Sequence, residues 1–395
     1  MKSSRTPRWK TLAIAAWAAC GLAALVGQLG GFANAGSLTP PSGPIKPTHK
    51  TLSDIEPRSV LRNDPGKVQS ITITESGSFT LGENIIALPG QPGVRISASF
   101  VTLDLNGFSI STDPAAPGTS GISVDPGLAY ITLRNGFIHG NGGNGISAAS
   151  AEHVKVDNIA ATGNALAGIS VGAYASVTRC TVTDNGSNGL FASSANVGVR
   201  VEQSNAVGNG ASGFSVGSQA SLVDCIANEN ATHGFFAAAS TELVRVERST
   251  AFGNAQAGFQ LSADSTLVEV SAVENGSHGI SAGDQSNIRA SLARQNLGSG
   301  ARVGGNSRVN GSVFTVNAQS GIKLTGSLCY VTENVLWGNA PYNVDAQGSS
   351  LQSLITSNLT HSASLNEFGG VTDDYLGAQY VGPWPVSSTN AWLNF

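Results

Sequence analysis

Apolar residues recur along this chain in short alternating runs rather than at helical spacing. After Gly168, Gly213 and Gly258 come Ile169-Ser170-Val171, Phe214-Ser215-Val216 and Phe259-Gln260-Leu261. Such in-out-in alternation predicts a strand with one buried face. About nine to twelve residues later a second apolar pattern returns as Val154-Lys155-Val156, Val199-Arg200-Val201 and Val244-Arg245-Val246. A third apolar column lies at Ala161, Val182, Ala206, Ala227, Ala251, Ala272, Ala293, Phe314 and Leu336. Three short strands per repeat, with no helix-period segment, predict an all-β chain wound as a parallel β-helix solenoid.

The polar positions keep the same rhythm. Asn141, Asn164, Asn185, Asn209, Asn230, Asn254, Asn275, Asn296 and Asn317 each stand four residues before a glycine, at intervals of 21 to 24 residues. A tenth copy at Asn339 has Asn343 in the glycine's place. The glycine is expected to supply a left-handed backbone, which asparagine tolerates next best. Stacked once per coil at ~4.8 Å, the asparagine amides are expected to bond one to the next as a ladder rather than to hold a ligand. A longer unit of 45 residues overlies the coils: Asp184, Glu229 and Glu274 keep it, as do Cys180 with Cys225 and Phe191 with Phe236. Tandem duplication explains this, so recurrence along the chain reports copying and not selection for a site.

The ends differ from the middle. Residues 1–35 combine Lys2, Arg5, Arg8 and Lys10, an apolar run from Thr11 to Leu29 and Ala33-Asn34-Ala35 before Gly36, the pattern of a secretory signal peptide removed on export, with a retained membrane anchor as the alternative that so long an apolar run allows. After cleavage no stable membrane insertion is expected. Residues 36–66 form a lead-in with prolines at 40, 41, 44, 47, 57 and 65. The β-helix is expected over 67–345, as about 12–13 coils. Residues 346–395, with Phe368, Tyr375, Tyr380, Trp384, Trp392 and Phe395, are expected to cap its open end.

Composition narrows the partners. Losing the first 35 residues leaves 17 Lys and Arg against 25 Asp and Glu, a formal charge of −8. So acidic a chain is a poor partner for nucleic acid. Cys180 and Cys225 sit two coils apart, ~10 Å, beyond disulfide reach, and are expected as buried thiols. No cofactor or metal site is indicated.

With coils of the form Asn-x-x-x-Gly-Ile-x-Val, the chain resembles right-handed parallel β-helix proteins of the pectin-lyase-like superfamily. Ser53-Asp54-Ile55-Glu56-Pro57-Arg58, Ile71 to Leu81 and Val101-Thr102-Leu103-Asp104-Leu105-Asn106-Gly107-Phe108 resemble the opening of a group of exported bacterial proteins with that fold. The resemblance spans about residues 53–345. It implies a right-handed winding, in a superfamily that mixes polysaccharide lyases, glycoside hydrolases and epimerases with surface proteins and phage spikes. The Asn-Thr-Asp and Gly-His-Gly of polygalacturonase-like hydrolases are absent from the coils, and Asp-Pro-His-Asp of mannuronan epimerase-like members is absent from the chain.

Three constellations carry the candidate chemistry. Glu229 with His233, and Glu274 with His278, set a carboxylate and an imidazole four residues apart, suited to acid–base work or metal ligation, or else plain turn residues. Lys155, Arg200, Arg245 and Arg289 are expected as one outward column of cations for an acidic sugar chain, or as a lattice of ion pairs with Asp157, Glu202 and Glu247. The column two residues after each repeat glycine runs Ser147, Ser170, Phe191, Ser215, Phe236, Gln260, Ser281, Arg302 and Lys323, and could hold a sugar polymer with Phe191 and Phe236 as stacking platforms. Two function classes follow: an exported protein that binds or processes polysaccharide, and a non-catalytic surface scaffold or adhesin.

Overall fold

The computed structural model describes residues 58–62, 70–112, 117–346 and 353–361, and the short strands Phe368–Gly369 and Trp392–Leu393. The leader and most of the lead-in lie outside the described residues. Among the described residues every regular element is a strand. The described residues fall in one unit, Arg58–Phe395.

The strands stack in three parallel ladders, one strand of each per coil. The first ladder is a 14-stranded sheet that takes up the segment after each repeat glycine, as in Ile169–Val171 and Phe214–Val216. The second and third ladders share a 26-stranded sheet, because Thr132–His139 and Lys155–Thr162 run unbroken through both. Further along, a two-residue corner divides them, as Arg179-Cys180 does between Ser176–Thr178 and Thr181–Thr183. The all-β solenoid expected from the repeat pattern is the observed fold.

The interior is filled by columns of like residues. Phe214, Phe235 and Phe259 stack with ring centroids 5.2 and 4.7 Å apart, in the first ladder's inward column. Three residues before the repeat asparagines of those coils stand Ala206, Ala227 and Ala251, all fully buried. Where the first column shrinks to Ala301, the third ladder answers with Phe314. Phe314 stands one coil beyond Ala301, against Gly300, so large and small side chains offset one another between adjoining coils, as close packing demands.

The asparagine column is the expected ladder, with a further bond. Asn185 Nδ2 donates to Asn209 Oδ1 at 3.0 Å, and Asn209 Nδ2 to Asn230 Oδ1 at 2.9 Å. Each acceptor oxygen also takes the backbone N–H of the preceding asparagine, and the second amide hydrogen goes to a carbonyl of the third apolar column, such as Ala161 O. The amides therefore bind the turn to the third ladder as well as coil to coil. All of them are buried.

The role expected of the glycine four residues later is corrected. Gly234 and its equivalents have no left-handed φ. They are glycine because a Cβ on Gly234 would lie 2.6 Å from Gly258 O and 3.0 Å from Asn254 Nδ2 of the next coil. The left-handed residue of this turn instead stands one before the asparagine, where Gly163, Asp184, Gly208, Glu229, Gly253 and Glu274 alternate, with φ of 52 to 66°.

Stacking also passes both expected boundaries. Ser59–Leu61 pairs in parallel with Gly77–Leu81, and Leu354–Thr356 pairs with Tyr330–Thr332. Backbone pairing needs no asparagine motif, so the end of the sequence rhythm does not mark the end of the ladders. At the first end, buried Asp104 accepts from Arg58, Arg134, Asn135 and the Asn106 backbone, fastening the opening strand to the coils. At the other, Trp392–Leu393 pairs antiparallel with Leu359–His361.

Candidate functional site

The two carboxylate–imidazole pairs occupy the turn between the third and first ladders. Glu229 and Glu274 are its left-handed residues, at φ of 54 and 55°, and are exposed. Their histidines are partly buried and turned to another task. His233 Nδ1 accepts the Ala257 N–H at 3.2 Å, and His278 Nδ1 accepts the Ser299 N–H at 3.0 Å. Asn144 and Asn188 hold the same place two coils apart and accept the equivalent N–H groups of Ala167 and Ser212 with Oδ1. Imidazole and carboxamide are thus interchangeable acceptors here. Among the described residues no ion pair joins either glutamate to its histidine, and no three His, Cys, Asp or Glu side chains converge as a metal site.

Burial lowers the pKa of His233, and it pushes that of His278 down to about 4, with the cations Arg302 and Lys323 adding to the effect. The unfolded chain holds its histidine proton up to an ordinary pKa near 6.5, so it binds more protons than the native state between those values. Stability contributed by neutral His278 is therefore complete above pH ~6.5 and is lost as pH falls toward 4. After allowance for solvent at this partly exposed ring, we expect a loss on the order of 1 kcal/mol. His278→Asn, which supplies the acceptor without a titrating group, should flatten the dependence of Tm on pH across that interval. An unchanged slope would refute the assignment.

The cation column is corrected at its fourth member. Lys155, Arg200 and Arg245 do share a register on the second ladder, separated by Ser176 and Ser221. The next positions are Thr266, Asn287 and Arg308, and Arg289 lies two residues along, in register with Val268 and Asn310. Two successive 21-residue steps, Arg245 to Thr266 and Thr266 to Asn287, carry the register past the longer spacing that separates Arg200 from Arg245. Arg200 and Arg245 bond to Glu202 and Glu247 in their own strands, while Arg179 bonds to Asp157 and Arg248 to Asp224 across coils.

The outer face of the first ladder keeps one register from Ser147 through Ser170, Phe191, Ser215, Phe236, Gln260, Ser281 and Arg302 to Lys323. Phe191 and Phe236 are half-buried, and the Phe236 ring stacks on His233 at 5.3 Å. Between and beside them Ser170, Ser215 and Ser281 are recessed to 2–7% exposure. Lys323 is balanced by Asp345 at 3.7 Å.

One feature went unread in the sequence. Phe100, Tyr130, His153 and Tyr174 stack outside the coils with centroids 4.9 to 5.1 Å apart, each a left-handed corner residue. Their intervals of 30, 23 and 21 residues hide a common column behind one long coil. The three cysteines described are buried and free; burial pushes the Cys180 and Cys225 thiols up to about 12, so neither is a nucleophile at neutral pH.

A family described as "Right handed beta helix region" matches residues 69–222 and 120–275, more than half of the 395-residue chain. The chain belongs to this family. No curated protein matches its sequence. Among solved structures it is similar to the mannuronan C-5 epimerase AlgE6 A-module of Azotobacter vinelandii, at 16% identity and a TM-score of 0.45, covering 75% of this chain and 90% of that one. It is also similar to a variant of the periplasmic alginate epimerase AlgG, at 10% identity and a TM-score of 0.47, covering 74% and 77%. A third similarity is to the catalytic unit of a GH87 alpha-1,3-glucanase from Streptomyces thermodiastaticus, at 11% identity and a TM-score of 0.41, covering 76% and 63%.

Proposed function

We propose that this protein is exported and binds a polysaccharide lengthwise on the outer face of its first ladder. The observation that carries the proposal is the unbroken outward column from Ser147 to Lys323, where recessed serines alternate with the partly covered rings of Phe191 and Phe236. A sugar polymer offers apolar ring faces bordered by hydroxyls, and this column offers apolar platforms bordered by hydroxyl and amide groups in the same order. Export is supported by the basic, apolar and small-residue succession of residues 1–35. Among the described residues no helix is long and apolar enough to cross a membrane.

Binding, rather than turnover, is what the surface supports. The imidazoles of His233 and His278 present Nδ1 to backbone N–H groups, and their glutamates stand at solvent-facing corners. A glycan array of neutral and acidic polysaccharides, probed with the full chain, should show retention of at least one polymer. Replacing both Phe191 and Phe236 by Ala should weaken it about tenfold or more, as expected when two stacking platforms are removed. Retention unaffected by the double variant would refute this face as the site, and release of shortened or unsaturated product would add catalysis to the assignment.

A further inference from the structure

The geometry points to a second site, an oxyanion-binding subsite for an acidic saccharide, on the outer face of the second ladder between Asn287 and Thr332. This site is independent of the first-ladder column. Asn287, Arg289, Arg308, Asn310, Tyr330 and Thr332 line a depression of about 340 Å³. Register places Asn287 beside Arg308 and Arg289 beside Asn310, so that guanidinium and carboxamide groups alternate over adjacent coils. Tyr330 and Thr332 close the next coil.

What sets these two arginines apart is the loss of their acids. On the same ladder Arg200-Val201-Glu202 and Arg245-Val246-Glu247 carry their own counter-charge, and each arginine bonds to it. The equivalent strand at Arg308 reads Arg308-Val309-Asn310, and Arg289 stands where Glu247 stood two coils before. Among the described residues neither Arg289 nor Arg308 forms an ion pair. The nearby Glu333 is tied to Asn310 Nδ2 at 3.0 Å rather than to a guanidinium. Residues 285–346 hold five Lys and Arg against two Asp and Glu, in a chain whose net charge is −4.

The site is also held in place before any ligand arrives. The Arg308 guanidinium lies over the Tyr330 ring at 5.6 Å, a cation–π contact that favours this placement of the cation. Asn287, which lines the same depression, has a buried Oδ1 with no donor. Two guanidinium groups suit a carboxylate or sulfate, and the carboxamides that line the depression beside them suit sugar hydroxyls. Together they specify an oxyanion carried on a sugar ring.

The test is calorimetric titration of the full chain with oligogalacturonate, with a sulfated oligosaccharide and with inorganic sulfate. One of the two saccharides should bind, more tightly than inorganic sulfate, and Arg289→Gln with Arg308→Gln should weaken it at least tenfold. Arg200→Gln with Arg245→Gln, which removes equal charge from paired positions, should change it less than twofold. Which saccharide binds identifies the oxyanion as carboxylate or sulfate. Equal losses in the two double variants would reduce the effect to overall charge and overturn the site. Binding of inorganic sulfate without gain from either oligosaccharide would overturn the saccharide assignment. The Phe191 and Phe236 double variant should bind the acidic oligosaccharide normally, so failure of the first-ladder proposal and failure of this one are separable.

Discussion

Asn230→Ala is expected to destabilise the solenoid by about 3–5 kcal/mol, because several buried polar groups lose partners at once. Asn230 Oδ1 accepts from both the backbone N–H and the Nδ2 of Asn209, and Asn230 Nδ2 donates to Ala206 O and Asn254 Oδ1. Alanine supplies none of these four bonds, and the column is too deeply buried for water to replace them: Asn209, Asn230 and Asn254 are each 1% exposed. Asn158→Ala is the control. That asparagine also bonds across coils, to Asn135 Oδ1 at 3.1 Å, but at an exposed corner where water substitutes readily. Its loss should cost about 1 kcal/mol, part of it from alanine at the left-handed φ of 53° rather than from the bond. Urea unfolding would give the difference, and amide exchange at Asn209 would show it to be local, as expected where each coil contacts only its neighbours. Equal effects for the two variants would mean that the column does not hold the coils together.

Gly234→Ala is expected to cost about 2–3 kcal/mol for a steric reason, since its φ suits any residue. The added methyl would meet the Gly258 carbonyl and the Ala251 Cβ, both at under 3.0 Å, so the coils must part. Gly163→Ala makes the contrast. Nothing lies within 4 Å of a Cβ there, and the penalty is the left-handed φ of 62°, about 1 kcal/mol. Gly163→Asp, copying Asp184 in the next coil, should recover part of that loss. Urea midpoints for the three variants would decide. If Gly163→Ala proved the worse of the two alanine substitutions, the distinction between steric and conformational glycines would fail.

The coil rhythm was legible in the sequence because stacking puts like residues on like residues. Ala161, Val182 and Ala206 form a column in the chain because they form one in space. The same logic exposes the asparagine ladder. It fails where coil length changes: Arg289 was read as the cation of the next alternate coil, but two 21-residue coils bring Asn287 into register with Arg245 instead. Left-handed corners were illegible for another reason, since Arg179, Gln203, Asp224 and Arg248 share one corner column without sharing chemistry. The histidines left a readable trace. His233 and His278 replace Asn144 and Asn188 in one column, and the property common to imidazole and carboxamide is a neutral acceptor.

All the column amides point the same way. From Asn141 to Asn317 every Nδ2 gives one hydrogen to the asparagine of the next coil, and Asn339 gives one to Asn343 within its own turn, where the series stops. One terminus consequently shows a vacant lone pair, at Asn141 Oδ1, and the other an unspent hydrogen, at Asn343 Nδ2. A polymer with complementary ends accepts extra monomers anywhere without a mismatch. A newly copied winding brings its own socket and plug, so this architecture can lengthen by gene duplication while leaving its two extremities unaltered.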